Sequence, residues 1–214
     1  MKKGKLFFMT LIIALIPLLV NVFAFPHMSD RIPVHWGING KVDRYGSKME
    51  QLMMSTLPII IFAVINFLPA IDPKRESYKK HAKAFGMINF GIILFISCIN
   101  MAALFSSLGF DVPAEKVLPI LLGILFIVLG NYMSQIRHNY FFGIRTPWTL
   151  ASEHVWKKTH RLGGYVFVLI GFVSFISIFV NSVGMVIFFG ALVVGTMVVI
   201  LYSYIIYKKN FPQK

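Results

Sequence analysis

The residues with the richest binding chemistry fall in one run, Asn139 to Gly164, which reads NYFFGIRTPWTLASEHVWKKTHRLGG. It holds two of the three tryptophans, two of the six histidines and four basic residues. Indole rings beside guanidinium and ammonium groups make a surface that grips anions and aromatic faces, whereas a plain surface linker would be rich in Gly, Ser and Asp. Arg145, set between Phe141-Phe142-Gly143 and Trp148, is placed to clamp Glu153, a phosphate or helix-end carbonyls. Covalent and metal chemistry have far less support. His154 and His160 are six residues apart, about 120° around a helix, and cannot share a metal without further ligands. His27 and His35 lie eight apart with no cysteine or second carboxylate at ligand spacing. There is no H-E-x-x-H, G-x-S-x-G or phosphate-loop motif, and Cys98, the one cysteine, sits inside an apolar run. No catalytic, cofactor or metal residue is therefore expected, and function rests on binding.

Composition says what kind of element holds these residues. Of 214 residues 57% are hydrophobic and 14% charged, against a charged share of about 25% in soluble domains. The chain reads as a membrane protein. A net charge of +13 would point to nucleic acid in a soluble chain, but here the cations sit between apolar runs as topology signals, so no direct nucleic-acid binding is expected. Uncharged runs cover Leu6–Phe25, Leu52–Ile71, Ala84–Phe110, Val117–Ile136 and Leu162–Tyr207. The first four each suit one crossing of a hydrocarbon core about 30 Å thick. The last has 46 residues, about 69 Å as a helix, and must cross twice, with Asn181-Ser182-Val183-Gly184 as the reversal. The first run follows a basic start like a signal peptide, yet it exceeds the usual h-region and lacks an A-x-A-like cleavage site, so it is kept as a span.

The expected architecture is an all-α integral membrane protein with six transmembrane helices. Placing the N-terminus inside puts 16 Lys and Arg in the cytoplasm and 5 outside, so both termini are expected to be cytoplasmic. Two units follow. Residues 1–71 form a two-helix unit with an extracytoplasmic loop at 26–50, and residues 72–214 a four-helix unit with a cytoplasmic motif loop at 137–162. No Asp, Glu, Lys, Arg or His falls near mid-membrane, which counts against an ion-coupled pump. Asn66, Asn89, Asn100 and Asn131 are read as interhelical hydrogen-bonding groups, and Gly130-x-x-x-Ser134 and Ala191-x-x-x-Gly195 as close-approach sites.

Asn39-Gly40 supplies the positive φ angles of a tight turn, so the flanking segments predict a small β-hairpin that carries His35 and Trp36, with Asp43 and Lys48 nearby. The hairpin is either the first surface met by something arriving from outside or a rigid lid anchored by its tryptophan. In the motif loop Thr146 serves as N-cap and Pro147 fits the first helical position. At 100° per residue Trp148, Ser152, Val155, Trp156 and Thr159 share one side, opposite His154, Lys157, Lys158 and Arg161. That spacing predicts an amphipathic helix lying in the inner interface between the fourth and fifth spans, with Gly163-Gly164 as the turn into the fifth. Glu153 and Lys157 support it as an i, i+4 pair. Its cationic face is either a docking surface for a partner or a solvated face without one. The basic run Asp72 to Lys80 is explained by attraction to anionic headgroups of the membrane lipids.

Two motifs carry a family resemblance. Asn131-Tyr132, Asn139 to Leu150, Glu153, Val155-Trp156 and Thr159 to Gly164 closely resemble the signature of the SdpI family of bacterial membrane immunity proteins. Ile32-Pro33, His35-Trp36, Gly40, Asp43 and Tyr45-Gly46-Ser47-Lys48 are similar to the small domain of unknown function that usually precedes it. The resemblance implies protection against a secreted, SdpC-type peptide toxin that collapses the proton gradient. It further implies a receptor role, in which engaged toxin lets the protein hold an ArsR-type autorepressor at the membrane and switch on its operon. By this analogy Pro33, His35, Trp36, Gly40, Asp43, Gly46 and Lys48 face the toxin. Asn139, Phe142, Gly143, Arg145, Thr146, Pro147, Trp148, Glu153, Trp156, Lys157, Lys158, His160 and Arg161 form the motif that would dock the repressor. The alternatives are a transporter or export component for a peptide or small amphiphile, and a structural membrane subunit acting by association alone.

Overall fold

The computed structural model describes residues 4–37, 41–180 and 182–211. Among them, six helices are long and apolar enough to cross a membrane. Helix α1 (Lys5–Ala24) keeps its course through Pro17, which an apolar medium tolerates because neighbouring groups satisfy the freed carbonyl. A short turn then leads to strands β1 (Arg31–Trp36) and β2 (Val42–Ser47), paired antiparallel with Arg31 opposite Ser47 and Trp36 opposite Val42. The expected hairpin is present; its turn, including Asn39 and Gly40, lies outside the described residues.

Ser47 closes the hairpin and starts α2 (Lys48–Met54) through a capping box. Its hydroxyl accepts from the Glu50 N–H at 3.3 Å while the Glu50 carboxylate accepts from the Ser47 N–H at 3.0 Å. Helix α3 (Leu57–Ile71) continues the same crossing after a break at Ser55-Thr56. Pro58 explains the break, since it lacks an N–H and its ring crowds the carbonyl four residues back. After α4 (Arg75–Lys80), helices α5 (Ala82–Ser107) and α6 (Ala114–Met133) are the third and fourth span-capable segments. The 46-residue apolar run divides between α8 (Glu153–Ser177) and α9 (Ser182–Asn210), with the short helix α7 (Pro147–Ala151) ahead of them. Of the expected reversal, Asn181 lies outside the described residues, and Gly184 packs directly on the Ser177 carbonyl.

Two expectations are corrected. The expected amphipathic helix is not one element: α7 stops at Ala151, Ser152 is extended at φ −144°, and Glu153 starts a new helix that runs unbroken to Ser177. Ser152 is itself an N-cap, its hydroxyl accepting from the Val155 N–H at 3.4 Å, so the apolar spacing drawn as one helix belongs to two. Gly163-Gly164 is not a turn but lies inside α8. A Cβ on Gly130 would sit 2.6 Å from the Gly164 carbonyl, and one on Gly171 would sit 2.8 Å from that of Gly123. These pairs, each seven residues apart on its own helix, bring the antiparallel α6 and α8 together along a glycine seam. Gly163, on another face, makes room for Ile144 of the motif loop.

The bundle therefore has two furnished ends, one bearing the hairpin and one bearing the motif loop. Near the hairpin, Asn21 of α1 donates to the Asn100 side-chain oxygen of α5 at 3.1 Å, and Gln51 of α2 donates to the Asn100 carbonyl at 3.2 Å. All three side chains are buried. Asn100 thus bonds between helices as expected, whereas Asn66 bonds the Phe62 carbonyl of its own helix and Asn131 is exposed. Asn21 and Gln51 were not among the polar residues singled out in the sequence.

Candidate functional site

The motif loop folds around one side chain. Asn139 is fully buried, and its oxygen accepts from the N–H groups of Phe141 (3.0 Å) and Phe142 (2.6 Å) and from the Tyr78 hydroxyl (3.2 Å). Its amide donates to the carbonyls of Arg137 (2.8 Å) and Phe142 (2.9 Å), so both ends of the side chain are in use. Tyr78 belongs to α4 and shares its one hydroxyl proton between Asn139 and Asp72, the latter nearer at 2.9 Å; Asp72 also accepts from the N–H groups of Lys74 (2.7 Å) and Tyr140 (3.0 Å). Burial, then the hydrogen bond to Asp72, pushes the Tyr78 hydroxyl well above its ordinary value, so it remains a donor. A chain of buried groups thus joins the end of α3 to the motif loop, 68 residues later in sequence.

The rest of the loop is seated by packing. Gly143 has φ +109°, a conformation side chains rarely adopt, and a Cβ there would collide with the His160 ring. His160 Nε2 accepts from the Ile144 N–H at 3.0 Å, which leaves Nδ1 to carry the proton and donate to the Trp156 carbonyl at 2.9 Å. Trp156 stacks on that ring at 4.1 Å and donates its indole N–H to the Ile136 carbonyl at 2.8 Å. Thr146 caps α7 as expected, with Pro147 in the first turn, and its hydroxyl meets Ser203 of α9 at 3.1 Å. Trp148 rests against the Tyr204 ring of α9 at 5.1 Å.

Two further histidines sit beside this core. His138 Nδ1 lies 2.7 Å from Lys74 Nζ; burial and that cation hold its pKa below the ordinary value. His81 Nδ1 accepts from the Arg137 N–H at 3.2 Å, and burial, with the Arg137 charge, brings its pKa down to about 4. The loop's foundation is thus neutral imidazole at ordinary pH. Its rim is charged and exposed: Arg145, Glu153, Lys157, Lys158 and Arg161 all face outward. Arg145 clamps a carbonyl of the loop itself, that of Tyr140 at 3.1 Å, while Glu153 pairs with Lys157 at 3.0 Å.

The motif residues therefore divide. Asn139, Thr146, Trp156 and His160 are buried and Phe142 is half-buried; the charged members, with Gly143 and Pro147, are exposed. Asp72, Tyr78 and His81 were missed because their partners in the motif loop are distant in sequence; in the sequence Asp72 and Tyr78 read only as part of a basic run. At the opposite end His35 Nδ1 and Asp43 Oδ1 pair at 2.6 Å on the exposed hairpin, and Lys48 pairs with Asp30 at 2.8 Å, drawing the Asp30 carboxyl below its ordinary value. Pro33, Trp36 and Gly46 are half-buried, and Gly40 lies outside the described residues. Beneath the hairpin a cavity of about 300 Å³ opens between Val34, His35 and Trp36 on one side and Ile99, Ala102 and Leu118 on the other.

A bundle with six span-capable helices among the described residues, a small two-stranded sheet at one end and a sealed motif loop at the other defines a multi-pass membrane protein. Residues 135–203 match the model of the SdpI/YfhL protein family, and residues 12–62 that of DUF1648, a domain of unknown function. The resemblance drawn from the two motifs thus stands. Over 213 residues the chain is 26% identical to the immunity protein SdpI of Bacillus subtilis (strain 168), covering 98% of this chain and 98% of that protein. No solved structure matches it significantly.

Proposed function

We propose that this chain is an immunity protein that protects the cell membrane against a secreted peptide toxin of the SdpC type. The observation that carries this reading is the alignment with immunity protein SdpI, which spans both chains nearly end to end. In this reading both termini and the motif loop are cytoplasmic, and the hairpin faces outward. Pro33, His35, Trp36, Asp43, Gly46 and Lys48 form the toxin-facing surface, and the cavity beneath them suits one apolar side chain of an entering peptide. Such capture requires no catalysis.

The finer part of the proposal concerns signalling. The exposed Arg145, Glu153, Lys157, Lys158 and Arg161, with Trp148 beside them, offer a charged face to an ArsR-type repressor, and the buried motif residues hold that face in place. Toxin would shift repressor binding only through a difference in affinity between two arrangements of the loop. The buried hydrogen bonds from Asn21 and Gln51 to Asn100 are the contact through which the two units, residues 1–71 and 72–214, would influence each other.

The test is expression in a toxin-sensitive host, followed by toxin challenge and a membrane-potential dye. Cells making the chain are expected to stay polarised while control cells depolarise. Equal depolarisation in both would refute immunity toward that toxin. Lys157→Gln combined with Lys158→Gln is expected to abolish induction of a repressor-controlled reporter while survival is kept; unchanged induction would remove the docking assignment.

A further inference from the structure

At the motif end α1, α3 and α5 part and leave a groove of about 980 Å³. Its walls are apolar, with Leu6 from α1, Phe67 from α3 and Phe85 from α5. Its mouth is cationic: Arg75 and Lys79 on α4 and Lys83 at the start of α5 stand against one acid, Glu76, which pairs with Lys79 at 2.7 Å. All four charged residues are exposed. Deep in the groove lies Asn89, only 4% exposed, whose side-chain oxygen has no hydrogen-bond partner among the described residues. An unmet amide at this depth is costly unless something in the groove meets it. Asn89 is six residues beyond Lys83, about 9 Å further along α5.

A cationic mouth, an apolar wall and a polar group between head and tail depth describe an amphiphile with a negative head. We propose that this groove binds one anionic phospholipid. The phosphate sits among Arg75, Lys79 and Lys83, and an acyl chain runs along Leu6, Phe67 and Phe85. The Asn89 amide, which can turn end for end, donates to an ester carbonyl. A cationic amphipathic peptide has the wrong charge for this mouth, and a zwitterionic lipid cancels most of the attraction. The inference is independent of the immunity reading and of which leaflet the motif end faces.

Each basic residue near a membrane surface favours anionic lipid by about fivefold, so a net of two positive charges at the mouth gives a preference of roughly 30-fold. Full-length protein in neutral detergent would be titrated with phosphatidylglycerol or with phosphatidylcholine of the same acyl chains, and retained lipid counted by native mass spectrometry. One retained phosphatidylglycerol is expected, with that preference. Arg75→Gln combined with Lys79→Gln brings the mouth to neutrality and is expected to erase it, whereas Lys208→Gln combined with Lys209→Gln, the same charge loss on α9, leaves it intact. Asn89→Leu is expected to weaken retention of phosphatidylglycerol roughly fivefold. Soluble glycerol phosphate at matched concentration is expected not to compete. Equal retention of the two lipids, wild-type preference in the Arg75/Lys79 variant, or displacement by glycerol phosphate would each overturn the proposal.

Discussion

Asn139→Ala removes the side chain on which the motif loop is folded. Five hydrogen bonds converge on it, two given and three received, and each contributes about 1 kcal/mol net to stability. Water at the loop's exposed edge will recover part of that loss, because Tyr140 is open to solvent and Phe141 is half so, leaving about 3 kcal/mol. The loss is local: the helices flanking the loop are held by their own packing, while the loop opens around Arg145. At 1.4 kcal/mol per factor of ten, the open population rises on the order of 100-fold. Trypsin cleavage after Arg145 in detergent-solubilised protein reads that population directly when reclosing is fast. Asn139→Asp sharpens the test. It keeps an acceptor for Phe141 and Phe142 but loses both donors and sets a carboxylate against the Arg137 and Phe142 carbonyls, with Asp72 one hydroxyl away. Its cleavage should be as fast as the alanine variant's at pH 8 and slower as the pH falls and the carboxylate takes up a proton. A change below about threefold in both variants would refute the reasoning.

Three further outcomes follow from the same contacts. Gly143→Ala strains a left-handed backbone position and drives a methyl group into the His160 ring, so a loss of about 1–3 kcal/mol is expected in a chemical-denaturation midpoint. His81 has a folded pKa depressed to about 4, so its contribution is fully present above its ordinary value of 6.5 and is lost as pH falls toward 4, at about 1.4 kcal/mol per pH unit. A thermal melt should therefore fall between pH 6.5 and 4, and His81→Gln should flatten that slope. Asn100→Leu removes the side-chain acceptor of the buried Asn21 amide, while Gln51 keeps its bond to the main-chain carbonyl at position 100, and should cost about 1 kcal/mol, read as an earlier midpoint in sodium dodecyl sulfate unfolding.

What could be read in advance follows from the range of each signal. The six span-capable helices were legible because lipid demands uncharged runs of fixed length, and the hairpin because Asn39-Gly40 punctuates two short segments. Thr146-Pro147 announced a helix start, and one formed there. The same spacing argument then overran Ser152, because apolar periodicity is blind to a second N-cap inside a continuous pattern. Gly163-Gly164 was misread for another reason: between apolar helices, small residues mark where backbones touch, and Gly130, the partner of Gly164, lies a full helix away in sequence, while Gly163 packs on Ile144. The buried Asp72–Tyr78–Asn139 contacts were out of reach for pattern reading, since each group looks ordinary until the fold brings it to the others. The charged rim was legible as a cationic face, but its tryptophan was not the greasy underside of a surface helix; Trp156 is the buried centre of the loop.

The account depends most on the hairpin and the motif loop lying on opposite sides of the membrane. In a Cys98→Ser background, His35→Cys and Arg145→Cys would be probed in intact cells with a membrane-impermeant maleimide, before and after permeabilisation; both native side chains are exposed. Labelling at position 35 in intact cells, with position 145 reacting only once the membrane is opened, is the predicted result. Labelling of both positions from the same side would contradict it.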